Sequence, residues 1–176
     1  QPPTHPYGPL YPRSIAQLTG EVRSPASITV ETIQALTADP DISPMDNVDH
    51  AFTASGSGAV VDMSLPMQFK IPDDGAAWIK IDMGRIVSGF VQFELQCAPG
   101  TTLDISYMEE PIRLGTHFGR MRSGTRYIAR GKEDRFGLFD AIGFRYAYML
   151  VHSTTSDATL LSFAVRENLH PWQETA

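Results

Sequence analysis

Cysteine, charge and long apolar runs are all scarce in this chain. Of its 176 residues a single one is cysteine, Cys97, so no intrachain disulfide can form. Its place in an apolar and polar alternation reads as a small packed hydrophobe rather than a nucleophile. Only 19% of positions are charged, and the formal net charge is −6 at pH 7. Nucleic acid and anionic membrane surfaces are held by clustered Lys and Arg, and no basic stripe is present, so neither is expected as a partner. No apolar run approaches the roughly 20 residues that span a bilayer. Tyr146 to Val151, among the longest, has the length of a strand.

Familiar catalytic signatures are missing too. The histidines, His5, His50, His117, His152 and His170, show no paired metal spacing and no zinc-protease pattern. Gly56-Ser57-Gly58 lacks the third glycine and the following helix of a dinucleotide loop, and no nucleophile-elbow serine occurs. Asp39, Asp41, Asp46 and Asp49 offer hard oxygens of the kind calcium takes, but without the spacing of a helix-loop-helix calcium site. Pro40 and Pro44 argue against one wrapped site. The expectation here is a solvated, turn-rich loop and no cofactor, with calcium as the less favoured alternative.

What the chain does have is turn residues and β-formers. Thirteen prolines, fourteen glycines and 42% hydrophobic positions suit short strands joined by turns, and one buried core rather than two. Pro2, Pro3, Pro6, Pro9, Pro12 and Pro25 mark residues 1–26 as an extended arm or interdomain connector. Residues 27–167 read as the β domain and 168–176 as an exit segment. Gln1-Pro2-Pro3 suits the start of a trimmed mature chain, which puts a secreted or periplasmic setting ahead of a cytoplasmic one while leaving the compartment open.

Period-two patterning supplies the fold class. Val91, Phe93, Leu95 and Cys97 alternate with Gln92, Glu94 and Gln96, and Leu103, Ile105 and Tyr107 alternate with Thr102, Asp104 and Ser106. With the Pro99-Gly100 turn between them, residues 86–108 are expected to form an antiparallel hairpin whose polar side faces water. Further strands are expected over 28–36, 60–70, 77–83, 125–130, 134–140, 143–151 and 159–166. Ser55 to Gly58 reads as a flexible loop and Asp73-Asp74-Gly75 as a turn. The pattern predicts an all-β fold, an antiparallel two-sheet β-sandwich of jelly-roll type, with Phe93, Tyr107, Phe144 and Tyr146 packed inside. Residues 109–124, with Pro111, Gly115, Gly119 and Gly124, form the longest irregular connection and a natural place for binding.

Four ordered pieces carry a family resemblance. They are Ile81-Asp82-Met83-Gly84-Arg85 with Gly89-Phe90-Val91; Ala98-Pro99-Gly100-Thr101-Thr102-Leu103 leading to Tyr107-Met108-Glu109; Thr125-Arg126-Tyr127-Ile128-Ala129-Arg130-Gly131; and Gly143-Phe144-Arg145-Tyr146. Together residues 78–151 resemble the β-sandwich, concanavalin-like domain that directly precedes the catalytic barrel of bacterial-type α-L-rhamnosidases. Tyr11 to Ile15 and Val165 to Pro171 resemble the entry to and exit from that domain. The match is poor over 30–75 and 110–124. The resemblance implies an accessory module whose partner is an (α/α)6 barrel that holds the catalytic acids, and a rhamnose-containing glycan as ligand.

Inverting glycoside hydrolysis needs two carboxyl groups flanking the bond, roughly 6.5–9.5 Å apart. Glu109 and Glu110 are adjacent, point to opposite faces of an extended backbone, and do not suit that role. No catalytic residue is therefore assigned to this chain. Sugars are held by aromatic faces and by planar hydrogen-bonding groups. The candidates are Glu110, Arg113, His117, Phe118, Arg120 and Arg122 in the irregular segment, with Trp172 on the exit. Arg145, between two aromatics, is expected to pair with Asp82 or Glu109 and to brace the sheet. Three readings compete: a scaffold for a barrel, a module that captures rhamnose-bearing glycan, and a free-standing lectin-like or adhesion domain.

Overall fold

The computed structural model describes residues 17–36, 39–56, 58–112, 123–153 and 157–171. One strand organises the whole. β5 (Ala76–Cys97) is 22 residues long, and its two halves belong to different layers. The first half, through Asp82, pairs with β2 (Ser27–Ile33) on one edge and β9 (Ile142–His152) on the other. β3 (Val61–Met63) extends this layer beyond β2, and β6 (Thr102–Met108) and β7 (Ser123–Ile128) extend it beyond β9. β9 stays beside β5 as far as Gly89, and from there β5 pairs with β10 (Asp157–Glu167) and, from Gln92, with β8 (Lys132–Gly137). β10 in turn carries β1 (Val22–Arg23) and β4 (Met67–Lys70). All these pairings are antiparallel.

The crossing lies between Asp82 and Val87, where the register with β9 shifts. Gly84 sits there at φ +76, a conformation that costs a residue with a Cβ dearly and glycine little, and an added Cβ would come within 2.9 Å of the Ala26 methyl. The layers face each other over one apolar core. Ile79 and Ile81 of β5, Leu103 and Ile105 of β6 and Met149 of β9 meet Val91, Phe93, Leu95, Leu160 and Phe163 from the other side. Phe93 meets Tyr127 edge-on at 5.5 Å, and Tyr127 meets Phe136 at 5.0 Å, so aromatic contacts run from layer to layer. The fold is the all-β antiparallel sandwich that the period-two pattern predicts, and Phe93, Tyr107, Phe144 and Tyr146 are all buried.

Three expectations need correcting. The hairpin over 86–108 does not form. Both edges of β5 beside Gln92 to Gln96 are already taken by β10 and β8, and β6 pairs with β7 and β9 in the opposite layer. The Pro99-Gly100 turn is tied across to the end of β7, with Gly100 N–H donating to the Ala129 carbonyl and Ala129 N–H to that of Thr101, both at 2.8 Å. Alternation states which side chains face inward but not which strand lies alongside. The single strand expected over 60–70 is two short ones, β3 and β4, with a cis peptide at Leu65-Pro66 between them.

The third correction is a helix in place of a solvated loop. α1 (Pro44–Ala54) is capped by Ser43, whose hydroxyl accepts from Asp46 N–H at 3.1 Å and donates to the Asp46 carboxylate at 2.7 Å. Pro44 opens it with a fixed φ and no lost hydrogen bond, and Asp46 complements the positive end of the dipole. Its apolar face sets Val48, Ala51 and Phe52 on Ile33, Ala76, Trp78, Tyr148 and Leu150, the outer side of the first layer. Asp104 and Ser106 of β6, expected to face water, are consequently buried beneath that cover. Residues 1–16 and 172–176 of the expected arm and exit segment lie outside the described residues, and within 17–26 the chain contributes β1.

Candidate functional site

Register lines up the outer side of the first layer into rows. Ser27, Asp82, Tyr146 and Met108 form one row across β2, β5, β9 and β6, and Thr29, Lys80, Tyr148 and Ser106 form the next. Tyr146 and Tyr148 belong to the cluster outside the inter-layer core, with Trp78 stacked on Tyr148 at 5.6 Å and Tyr148 on Tyr146 at 6.4 Å. α1 packs over the Trp78 and Leu150 end of this face. Towards Asp82 the sheet presents polar groups instead.

Arg145 donates to Asp82 through Nε at 2.9 Å and Nη2 at 3.2 Å, a fork on a carboxylate, and Gly84 N–H adds a third bond at 2.7 Å. The Arg145 hydrogen bond holds the Asp82 carboxyl below its usual range, against the opposing effect of burial. The guanidinium also lies 5.0 Å from the Tyr146 ring centre, and the Lys80 ammonium lies 5.3 Å from it. Tyr146 is only 7% exposed beneath these two cations, so its face is not open for stacking on a sugar. Among the described residues no carboxylate stands within ion-pair distance of Lys80.

The loop edge adjoins this row. Ile112 N–H donates to the Tyr148 hydroxyl at 3.0 Å, anchoring the start of the irregular connection against the sheet. Burial raises the Tyr148 phenol pKa, opposed by that bond, so the hydroxyl stays neutral. Near neutrality Asp82 is thus an acceptor and the Tyr148 hydroxyl keeps its proton. The arrangement suits directional hydrogen bonding to hydroxyl groups.

The residues singled out in the sequence fall into three groups. Of the two partners offered to Arg145, Asp82 takes it. Glu109 and Glu110 follow Met108 out of the same row and are exposed. Arg113, His117, Phe118, Arg120, Arg122 and Trp172 lie outside the described residues. Sequence reasoning missed Lys80, although its alternation with the buried Ile79 and Ile81 marks it as outward-facing. It also missed the strut formed by the fully buried Asp104, which accepts from Arg126 Nε at 2.7 Å and Nη2 at 3.0 Å and from Asn47 Nδ2 at 2.8 Å. Arg126 further donates to the carbonyls of Pro40 and Ile42, so this strut ties the approach to α1 onto the sheet.

Elsewhere, Gln96, Cys97, Lys132 and Glu133 line a shallow depression of about 630 Å3. Burial raises the Cys97 thiol pKa, so it is protonated near neutrality and a poor nucleophile. Among the described residues no three His, Cys, Asp or Glu side chains converge as metal ligands would.

No protein-family model matches the chain, and no curated protein matches it. Solved structures do. A GH78 family rhamnosidase of Bacillus sp. GL1 superposes with a TM-score of 0.55 and 28% identity over 64% of this chain. A rhamnosidase from Klebsiella oxytoca, solved with rhamnose bound, gives 0.49 and 14% over 85% of this chain and 29% of its own. Chitosan-binding module 1 from the chitosanase/glucanase of Paenibacillus sp. IK-5 gives 0.44 and 12% over 81% of this chain and 95% of its own. The chain is related in fold and sequence to one segment of the Bacillus rhamnosidase, of which it spans 12%.

Proposed function

We propose that this chain is the non-catalytic β-sandwich module of an α-L-rhamnosidase-like glycoside hydrolase, adjoining and supporting an (α/α)6 catalytic barrel and contacting rhamnose-containing glycan. The observation that carries this reading is the 28% identity to a rhamnosidase of which the chain spans only 12%. A segment of that share leaves room for the reaction chemistry elsewhere in such an enzyme. The Asp82 and Arg145 pair, with Lys80 in the next row, supports the glycan part. An ionised carboxylate and two cations on a rigid sheet provide acceptors and donors in fixed directions, which a hydroxyl-rich ring can match at low ordering cost. Glu110, and with it Arg113, His117, Phe118, Arg120, Arg122 and Trp172, remain proposed contacts, and Glu110 leaves the sheet next to the Asp82 row.

Calorimetric titration of the chain with L-rhamnose and rhamnose-capped oligosaccharides tests it, with Lys80→Ala as the site variant. Saturable heat that weakens about tenfold in the variant is expected. No heat with any rhamnoside removes the glycan part and leaves the supporting role. Release of free rhamnose from an aryl rhamnoside by this chain alone overturns the reading.

A further inference from the structure

The exposed apolar side chains are not scattered. Of eight large hydrophobic residues exposed among the described residues, five are Leu18, Val22, Ile86, Phe139 and Leu169. All five lie around one row, in which Gly89 of β5 pairs with Ile142 of β9 on one side and Glu167 of β10 on the other. Val22 pairs with Arg166, which pairs with Phe90, so these three side chains share the outer side of the second layer. Ile86 lies at the β5 crossing. Phe139 stands in the short connection from β8 to β9, 97% exposed, while the adjoining Leu138 N–H is bound to the Val91 carbonyl at 2.9 Å. A phenyl ring held in water by an anchored turn loses what burial would return, so its presence calls for a covering surface.

The same end is where the polypeptide enters and leaves the sandwich. Thr19 N–H donates to the Leu169 carbonyl at 2.7 Å, and Leu169 N–H donates to the Thr19 hydroxyl at 3.2 Å. The junction is stiff. Glu167, only 2% exposed, accepts from Arg23 Nε and from Arg85 Nη2, each at 2.7 Å, and so clamps β1, the β5 crossing and β10 together. A domain joined to either end of the described residues is tethered to a clamped junction beside the apolar group. Covalent attachment holds it there at an effective concentration on the order of millimolar, enough for a modest patch to stay covered.

We infer that the Phe139, Ile86, Val22, Leu18 and Leu169 end is a docking surface for a folded domain of the same polypeptide that presents an apolar patch of its own. This rests on the module reading above and names the surface it uses. The test compares backbone amide exchange in the 176-residue chain alone with exchange in the longest polypeptide in which the chain naturally occurs. Exchange should slow at least roughly tenfold at Leu18–Arg23, Ile86–Phe90 and Leu138–Ile142 in the longer polypeptide. The double variant Phe139→Ser, Ile86→Ser should leave the melting temperature of the isolated chain unchanged and lower that of the longer polypeptide. Unchanged exchange, or a natural polypeptide with no further domain, overturns the proposal. A concentration-dependent dimer of the isolated chain that the double variant abolishes also overturns it, because the occupant is then a second copy. If protection appears but the adjoining domain cleaves no rhamnoside, the docking surface stands and the functional reading falls.

Discussion

Arg126 reaches the fully buried Asp104 carboxylate through two nitrogens, at 2.7 and 3.0 Å, and the same guanidinium binds the carbonyls of Pro40 and Ile42. One side chain thereby joins two strands to the loop that starts α1. Removing it leaves a buried charge with only Asn47 as a described partner. Arg126→Leu should destabilise the chain by about 3–5 kcal/mol. Adding Asp104→Leu should recover part of that loss, because the stranded charge is then gone. Urea unfolding of the single and double variants measures both, and a loss below about 1 kcal/mol in the single variant would rule out the strut.

The cap of α1 makes a smaller demand. Ser43→Ala removes the acceptor for Asp46 N–H and should cost about 1 kcal/mol. The same change at Ser55, beyond the C-terminus of α1, should cost less. Thermal melts of the two variants rank them, and equal losses contradict the N-cap assignment.

Gly89 tests the pairing of β5 with β10. A Cβ there would meet the Arg166 carbonyl oxygen at 2.1 Å and the Glu167 Cα at 2.8 Å, backbone atoms that cannot rotate aside. Gly89→Ala should destabilise by about 3 kcal/mol or more. Gly143→Ala, in the neighbouring strand, meets nothing within 4 Å and should be tolerated. Similar soluble yields and similar midpoints for the two variants would contradict the pairing of Gly89 with Glu167.

Acid sensitivity follows from His152 and Asp82. Burial lowers the His152 pKa from 6.5, opposed by the charge of Asp104 and the backbone of Gly75, and its Nε2 is buried without a hydrogen-bond partner among the described residues. Below pH 6.5 the unfolded chain takes up a proton that the folded imidazole resists, so stability falls with pH from there until the folded pKa is passed. The slope is at most about 1.4 kcal/mol for each pH unit. Asp82, held low by Arg145, adds a second loss of the same sign below its unfolded value of 3.8. Melting temperatures at pH 7, 5.5 and 3 for the native chain, His152→Gln and Asp82→Asn should show each variant losing its own part of the decline. A native curve flat between pH 7 and 5 sinks the His152 assignment.

Much of the class of this fold is legible in local pattern. Alternation in Val91 to Cys97 and Leu103 to Tyr107 names the inward side chains, and burial follows it at Val91, Phe93, Leu95, Leu103 and Ile105. Proline and glycine place the turns at Pro99-Gly100 and at Asp73-Asp74-Gly75, where Gly75 N–H meets the Pro72 carbonyl at 3.2 Å. The start of α1 was also present locally, in Ser43-Pro44-Met45-Asp46, but the acidic run concealed it. Only a tertiary partner shows why a helix of this length persists: Val48, Ala51 and Phe52 need Trp78 and Tyr148 beneath them.

By itself the sequence determined which residues seek burial and where the chain turns, because those follow from side-chain chemistry and from backbone freedom within a few residues. Tertiary structure alone decided that β5 serves two layers, that β6 lies beside β9 rather than β5, and that Lys80, Asp82 and Arg145 share one face. Strand pairing joins residues far apart in the chain, and its energy depends on which edges remain open once the other strands have taken theirs.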